Sequence, residues 1–424
     1  MNDPVRLLMF GNLPPPYGGL PSFLQFALPI LVSGGYSPVL LVREREDYSR
    51  WFTRGVSVVR LPYGPVETEE SVAELRRTLT HAQMQDALEI AASAPNIADS
   101  TRYLADLGMA MRVAEAHSIE LIHTFHVYHR SVVARAVSHL LGIPAILSIF
   151  GEVVAEYYPL PHMWPQVRAL TSGFSAITAP SQHCGSGPRL LGLHDPAVQV
   201  VPYGVDTEFF RPVSPASVLA GNNLEDRRVI LFQGRLSQEK GPQTLIAALP
   251  SILHAIDNAF VLFVGPDEGP HLEGPTGFVD VLRKMARDLG VESNIGFTGG
   301  VPFADLPAYY SAASVLAFPS TSPKECMGLA LKQAMACGIP VVAARAGGAC
   351  EAVEDGVTGI CCEPNDPGAL AGAIVEVLSG SAGSEMGRRG RERALKFFTQ
   401  EQTVAVTTKI YMNAMSAAGR RRTT

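Results

Sequence analysis

The sequence predicts an α/β protein built from two doubly wound parallel sheets, each with its own core. Three observations carry that prediction. The chain has 424 residues, too many for one ordinary core and enough for two domains of comparable size. Apolar residues make up 47% of it and charged residues only 17%, the balance of strands buried on both faces rather than of a disordered or fibrous chain. Short β-rich runs alternate with longer helical patterns along most of its length, as repeated βα units require.

In chain order, strands are expected at Leu7–Phe10, Val39–Val42, Val56–Leu61, Leu121–His123, Ala145–Ile149, Ala176–Thr178 and Val198–Val201. Between the third and fourth lies a mainly helical elaboration, Glu69–Ala92 and then Ile97–His117. It either lines a binding site or pads the fold. Pro212, Pro215, Gly221, Asn222 and Asn223 then mark a loop, and the domain boundary is expected there. Further strands follow at Val229–Phe232, Phe260–Val264, Ile295–Phe297, Val315–Phe318, Val341–Ala343 and Ile360–Cys362, with helices between them. The expected division is a first domain over residues 1–212, a second over 213–395, and a C-terminal helix over 396–424 packing back towards the first.

A net charge of -6 without a long basic run argues against a nucleic-acid partner, which would need clustered Lys and Arg. The Arg-rich stretches at 388–393 and 420–422 read as a solvated helix face and a frayed tail, with contact to anionic lipid as the minority reading. The six cysteines form no C-x-x-C pair and have no histidine at metal-ligand spacing, so neither a zinc site nor a disulfide framework is supported. A reducing cytoplasm fits that usage. The apolar segment Leu20–Val32 is too short to span a bilayer, and no transmembrane helix or signal peptide is expected.

Ligands of open α/β sheets settle outside the carboxyl ends of the strands, so site residues should follow strands. In VLAFPSTSPKECMGLALKQAMACGIPVV, residues 315–342, a buried strand ends at Phe318 and a Pro/Ser/Thr loop leads to Cys326-Met327-Gly328, which is expected to open an apolar helix. The free N–H groups of such a helix start suit a phosphate. Glu325, just before it, is placed either to bond sugar hydroxyls or to cap the helix. In LFQGRLSQEKG, residues 231–241, Arg235 and Lys240 flank a turn between Gly234 and Gly241. A forked guanidinium and a mobile ammonium above a strand end suit a diphosphate. Gly18-Gly19 follows the first strand like a phosphate turn, but the spacing is not G-x-G-x-x-G and no P-loop lysine follows, which disfavours a dinucleotide enzyme. No Asp-x-Asp occurs anywhere, so no divalent metal is expected and protein cations must balance the phosphate charge.

Together these stretches resemble glycosyltransferase family 4, the retaining enzymes of the GT-B fold, over nearly the whole chain. VPYGVDTEFFRP resembles the family's hinge, GRLSQEKG its Arg/Lys loop, FVGPDEG and FTGGVPFADLPAYY its nucleotide loops, and GGACEAVEDGVTGICCEPNDP its closing Gly-Gly segment. The resemblance implies two Rossmann-like domains facing each other across a cleft, the first on the acceptor side and the second holding a nucleotide-sugar. It implies catalytic roles for Arg235, Lys240 and Glu325, and donor contacts from Gly18, Gly19, Gly234, Gly265, Gly300, Val301, Cys326, Met327, Gly328, Leu329 and Gln333.

In that family two glutamates separated by seven residues flank the donor, the second bonding the ribose. Here the pair reads Glu325 and Gln333, and a neutral bond worth roughly 0.5–1.5 kcal/mol replaces a charged one worth roughly 1.5–3 kcal/mol. The family also tends to carry a sugar-facing histidine where LSIFGE has Phe150. Gly151, Glu152 and the histidines one strand earlier, His123, His126 and His129, are candidates for the same region, with His126, Phe150, Gly151 and Glu152 the acceptor- or sugar-side set.

The activity implied is metal-independent, retaining transfer of a sugar from a nucleoside diphosphate to a glycan, lipid or small-molecule hydroxyl, without a cofactor. The location implied is the cytoplasm, with peripheral contact at the inner membrane face. A catalytically impaired nucleotide-sugar-binding protein of the same fold, or a nucleotide-sugar epimerase, are the alternatives.

Overall fold

The computed structural model describes residues 3–11, 19–43, 55–62, 64–95, 97, 99–193, 197–267 and 277–423. The chain divides into two compact units, Met1–Pro202 with Glu401–Thr424, and Tyr203–Gln400.

In the first unit the described strands are β1 (Val5–Phe10), β2 (Tyr36–Val42), β3 (Ser57–Arg60), β4 (Leu121–Phe125), β5 (Ala145–Ser148), β6 (Ala176–Ala179) and β7 (Val198–Val200). They form one parallel sheet in the order β3-β2-β1-β4-β5-β6-β7. From β1 the chain winds outward through β2 and β3, then crosses to β1's other side at β4. The topological switch point is therefore at the carboxyl ends of β1 and β4. β4, β5 and β6 are buried along their whole length, and their polar residues His123, Thr124, Ser148 and Thr178 are buried with them.

The mainly helical stretch Glu69–Ala92 holds two helices, Pro65–Thr78 and His81–Ala92. Thr80 caps the second reciprocally: Gln83 N–H donates to Thr80 Oγ1 at 3.2 Å and Thr80 N–H to Gln83 Oε1 at 3.0 Å. The Ser100–Ala116 helix starts at Asp99, whose carboxylate accepts from Arg102 N–H at 3.1 Å. It crosses the Pro65–Thr78 helix closely at Gly108, where a Cβ would stand 2.8 Å from Ser71 O. The C-terminal helix Gln400–Thr423 adds Tyr411 to this unit's core, where its ring meets Tyr36 at 5.6 Å.

In the second unit β8 (Arg228–Gln233), β9 (Ala259–Val264), β10 (Ile295–Gly299), β11 (Val315–Phe318), β12 (Val341–Ala344) and β13 (Gly359–Cys362) form a parallel sheet in the order β10-β9-β8-β11-β12-β13. Its switch point lies between β8 and β11. Alternate residues serve opposite cores: Val229 and Leu231 pack with Leu262, Leu316 and Phe318, while Ile230 and Phe232 pack with Val261, Phe263 and Val315.

Two expectations need correcting. The boundary lies at Pro202–Tyr203 and not at residue 212, because Val205 and Phe210 belong to the second unit's core and Val205 N–H donates to Phe398 O at 2.8 Å. The same packing extends that unit from 395 to Gln400. Cys350 and Cys361, for which the spacing gave no signal, are disulfide-bonded, with Cα atoms 6.3 Å apart. The short turn Ala349–Glu351 and β13 bring them together.

Candidate functional site

Gly234, Arg235, Gly265, Gly300 and Val301 stand just after the carboxyl ends of strands, and Lys240, Glu325 and Gln333 lie further along the segments that follow β8 and β11. Gly234, after β8, and Gly265, after β9, have φ of +151° and +150°. A Cβ on Gly265 would fall 1.8 Å from Gly234 O, so only glycine lets these two strand ends approach so closely. Gly300 and Val301 follow β10; the first has open space around its Cα and the second packs on the unit's core.

The loop after β8 turns through Gln238–Lys240 and ends at Gly241, which has φ +75° and would place a Cβ 2.1 Å from Pro319 O. That contact presses the β8 loop against the β11 loop, across the switch point. Thr321 N–H donates to Glu239 O at 2.9 Å, and Ser322 Oγ to Glu239 Oε2 at 3.3 Å. Lys240 Nζ consequently donates to Glu325 Oε2 at 2.7 Å, with side chains 25% and 10% exposed. Arg235 reaches the same loop indirectly: it pairs with Glu239 Oε1 at 3.3 Å and remains half exposed. The Lys240 amine thus stands beside the segment that leads into the helix after residue 325, and Arg235 reaches the same loop through Glu239.

That helix spans Leu329–Ala336. Its expected opening at Cys326 is corrected: Cys326 and Met327 are loop residues, and Gly328, at φ +54°, is the N-cap. A β-carbon at that left-handed turn would be strained, and the turn delays the helix by three residues. Glu325 is both a cap and a charge partner. Its Oε1 accepts from Gly328 N–H at 3.1 Å, while Oε2 takes Lys240 and Ser320 Oγ, the latter at 3.5 Å. Gly348 N–H donates to Glu325 O at 2.7 Å, and a Cβ on Gly347 would lie 2.2 Å from that oxygen, so the Gly-Gly segment locks the glutamate's backbone. Gln333, buried one turn into the helix, accepts from Tyr310 Oη at 2.8 Å, and the same hydroxyl is 3.1 Å from Gln233 Oε1 at the end of β8.

The first unit separates the three histidines that the sequence grouped. His123, within β4, is fully buried between Tyr411 Oη at 2.5 Å and Ser148 Oγ at 2.8 Å. Burial pulls its pKa down to about 3, so it is a neutral structural residue. His126 follows β4 at φ +66°, an unusual conformation for a side-chain-bearing residue. Its ring lies over Phe150 at 4.3 Å and stacks with Tyr128 at 5.6 Å, and Nδ1 is 3.4 Å from Glu152 Oε2.

Glu152 is buried. Desolvation alone would raise its pKa, but the hydrogen bond and charge of His126, with backbone N–H donors that include Phe150, hold it below the ordinary carboxylate value. Val127 N–H also donates to it, at 3.0 Å. Gly151 lies in the tight turn between Phe150 and Glu152, its carbonyl accepting from Ala155 N–H at 2.9 Å. His129 goes elsewhere, to Asp106 Oδ2 at 2.8 Å. Gly19 is the first residue of the Gly19–Ser33 helix, and Gly18 lies outside the described residues.

Sequence reasoning passed over Glu239, Tyr310, Lys332 and Asp106. Lys332 is fully buried beside Gln333. Its amine bonds Tyr203 O, lies 3.2 Å from Met327 Sδ and sits 5.0 Å above the Phe398 ring, and burial lowers its pKa to about 7. Glu239, Tyr310 and Lys332 lay inside the quoted stretches without a role assigned to them, and a single charge in an apolar helical run was the available signal for Lys332 and Asp106.

Residues 219–396 match the family model described as glycosyl transferases group 1. The GDP-mannose-dependent alpha-(1-6)-phosphatidylinositol monomannoside mannosyltransferase of Mycolicibacterium smegmatis is 30% identical over 92% of this chain and 93% of its own length. The D-inositol 3-phosphate glycosyltransferase 1 of Catenulispora acidiphila is 31% identical over 70% and 72%. Among solved structures, a glycosyltransferase from Rickettsia africae superposes with a TM-score of 0.76 at 16% identity, covering 98% of this chain and 99% of that one. Among the described residues no helix is long and apolar enough to cross a membrane.

Proposed function

Since the chain belongs to the glycosyl transferases group 1 family and has the GT-B fold, we propose that this glycosyltransferase moves a sugar from a nucleoside diphosphate to a polyol hydroxyl, with retention of configuration and without a metal ion. The observation that supports this most directly is the Lys240 amine, 2.7 Å from Glu325 at the switch point between β8 and β11. GDP-mannose is the first donor to test, because the M. smegmatis relative is described as GDP-mannose-dependent.

In this reading the diphosphate lies against Lys240, Arg235 and the amide groups that begin the Leu329–Ala336 helix. The bond from the anomeric carbon to the leaving phosphate oxygen breaks, the acceptor oxygen bonds to the same face, and the acceptor's proton passes to the departing diphosphate. Negative charge grows on that diphosphate, and cations fixed beforehand stabilise it without reorganising. Glu325, held in one orientation by Lys240, Ser320 and Gly328, accepts from sugar hydroxyls. Gln333 turns its amide donors to the ribose. Among the described residues no group accepts from Gln333 Nε2, which supports that role. Within the first unit, His126 and Glu152 are the residues we assign to the acceptor. We place the reaction in the cytoplasm, at the inner membrane face when the acceptor is a lipid.

The test is to mix the protein with GDP-mannose, GDP-glucose and UDP-glucose in EDTA, with inositol-type acceptors, and to follow nucleoside diphosphate release and the anomeric configuration of the product by NMR. Turnover in EDTA with a retained anomer is expected. An inverted product, activity that returns only with a divalent ion, or saturable binding without turnover would each overturn the proposal.

A further inference from the structure

The Cys350–Cys361 disulfide lies on the segment that holds the backbone of Glu325. That segment leaves β12 at Ala344, passes Gly347 and Gly348, and turns through Ala349–Glu351, with Cys350 in the turn. Cys361 lies within β13, in register with Ala343 of β12. The bridge is therefore a covalent tie from the turn back to the sheet. Two residues before Cys350, Gly348 N–H donates to Glu325 O at 2.7 Å, and Gly347, at φ +55°, leaves no room for a Cβ beside the same oxygen.

The turn's other ties are local or lie at its flanks. Ala349 N–H donates to Ala346 O at 3.2 Å and Glu351 N–H to Gly348 O at 3.1 Å, both within the turn itself. Arg345 N–H donates to Cys362 O at 2.9 Å before the turn begins, and Arg393 Nε to Ala352 O at 3.0 Å after it ends. Ala349 packs on the core, but an alanine buries little apolar surface. The β13 end is fixed independently of the bridge: Cys361 N–H donates to Asp355 Oδ1 at 2.8 Å, and Arg345 pairs with Asp355 Oδ2 at 2.5 Å. Opening the bridge thus releases the turn and leaves the strand in place. Cys350 is half-buried and Cys361 is 7% exposed, so a reductant meets Cys350 Sγ first.

We propose that this pair is a redox switch on the donor site: with the bridge closed, Gly347 and Gly348 hold Glu325 in place, and with it open the turn loosens and the nucleotide-sugar binds more weakly. A dithiol opens it. Its thiolate attacks Cys350 Sγ, Cys361 leaves as a thiolate and takes a proton, and the reductant's second thiol displaces Cys350 to close the reductant's own disulfide. Two electrons and two protons pass to the protein, and a disulfide oxidant reverses the exchange. Where thiols are kept reduced, a bridge of this kind forms transiently and senses redox state instead of supporting the fold. The consequence for the donor rests on the transferase reading; the loosening of the turn does not.

The full-length protein is equilibrated in oxidised or in reduced dithiothreitol, and its thiols are then counted in denaturant. Of the six cysteines two form the bridge, so four thiols are expected after oxidation and six after reduction. Hydrogen exchange at the Gly348 amide should quicken by at least about tenfold on reduction, because the turn opens more readily. GDP-mannose, titrated calorimetrically, should bind about two- to tenfold more weakly to the reduced protein, the weight of roughly one hydrogen bond at Glu325. Cys350→Ser should behave as the reduced protein in both buffers. The wild-type comparison decides the matter even if that variant does not fold.

Six thiols after oxidation, Gly348 exchange unchanged by reduction, or a folded Cys350→Ser protein that still responds to the redox buffer would each overturn the proposal. Equal and measurable GDP-mannose affinity in the two states would sink the switch and leave the donor reading standing. Absence of nucleotide-sugar binding in both states would sink the donor reading and the link to it, while the exchange at Gly348 still decides whether the bridge governs the turn.

Discussion

Replacing Lys240 by Met keeps the length of the side chain and deletes its charge. Two effects follow, and they are separable. In the ligand-free protein Glu325 loses a 2.7 Å charge-assisted bond but keeps the Gly328 N–H and Ser320. Because the lysine is a quarter exposed, the stability lost is discounted to about 1 kcal/mol or less. With donor bound, the diphosphate loses a fixed cation. A charged hydrogen bond in the ground state is worth roughly 1.5–3 kcal/mol, about 10- to 150-fold in nucleotide affinity. Where charge grows on the leaving group, loss of one preorganised partner costs on the order of 10²- to 10³-fold in kcat.

The assay is steady-state GDP release from GDP-mannose together with a GDP titration, so that kcat and affinity are read separately. The double variant Lys240→Met/Glu325→Gln decides the cause. If the two residues only neutralise each other, the double variant recovers activity; if Lys240 serves the diphosphate, it does not. Near-normal turnover in the single variant, or full recovery in the double, would refute the assignment.

Three further outcomes are expected. Gln333→Glu should tighten GDP binding by up to about tenfold, because the carboxylate keeps the 2.8 Å bond from Tyr310 and offers ribose a charged acceptor; weaker binding by titration would contradict the ribose role. Glu152→Gln should destabilise the protein by about 1–3 kcal/mol at neutral pH, through loss of charge-assisted bonds from His126, Val127 and Phe150. Since the folded carboxyl titrates below its ordinary 4.5, that loss should shrink as pH falls below about 4.5, which denaturant melts at pH 7 and 4 can check. Lys332 has a folded pKa of about 7 against an ordinary 10.5, so between those values the unfolded chain holds a proton that the folded chain has released, and stability climbs with pH. Lys332→Met should abolish that climb, and an unchanged slope in melts from pH 7 to 10 would show that the amine is not the group responsible.

How much of this could be read from the chain depended on where each residue's neighbour comes from. The sheets were legible because each strand announces itself locally, as an apolar run between turn residues. The glycine and cation loops of the second unit were legible for the same reason: Gly234, Arg235, Lys240 and Glu325 each follow a strand within a few residues, and a strand end in a doubly wound sheet already implies where a ligand lies. Asp106 with Arg43 and Lys332 with Tyr203 were not legible, because the partners are 63 and 129 residues apart and only sheet order or the return of the chain joins them.

The histidines make the point most clearly. His123, His126 and His129 recur every third residue, which on one continuous element would suggest a shared face. Here the first lies in a strand, the second in a left-handed turn and the third at a helix start. Each change of backbone conformation redirects the next side chain, so the three end on Tyr411, Glu152 and Asp106. A regular spacing predicts a common destination only within one element, and a switch point is by construction where one element gives way to another.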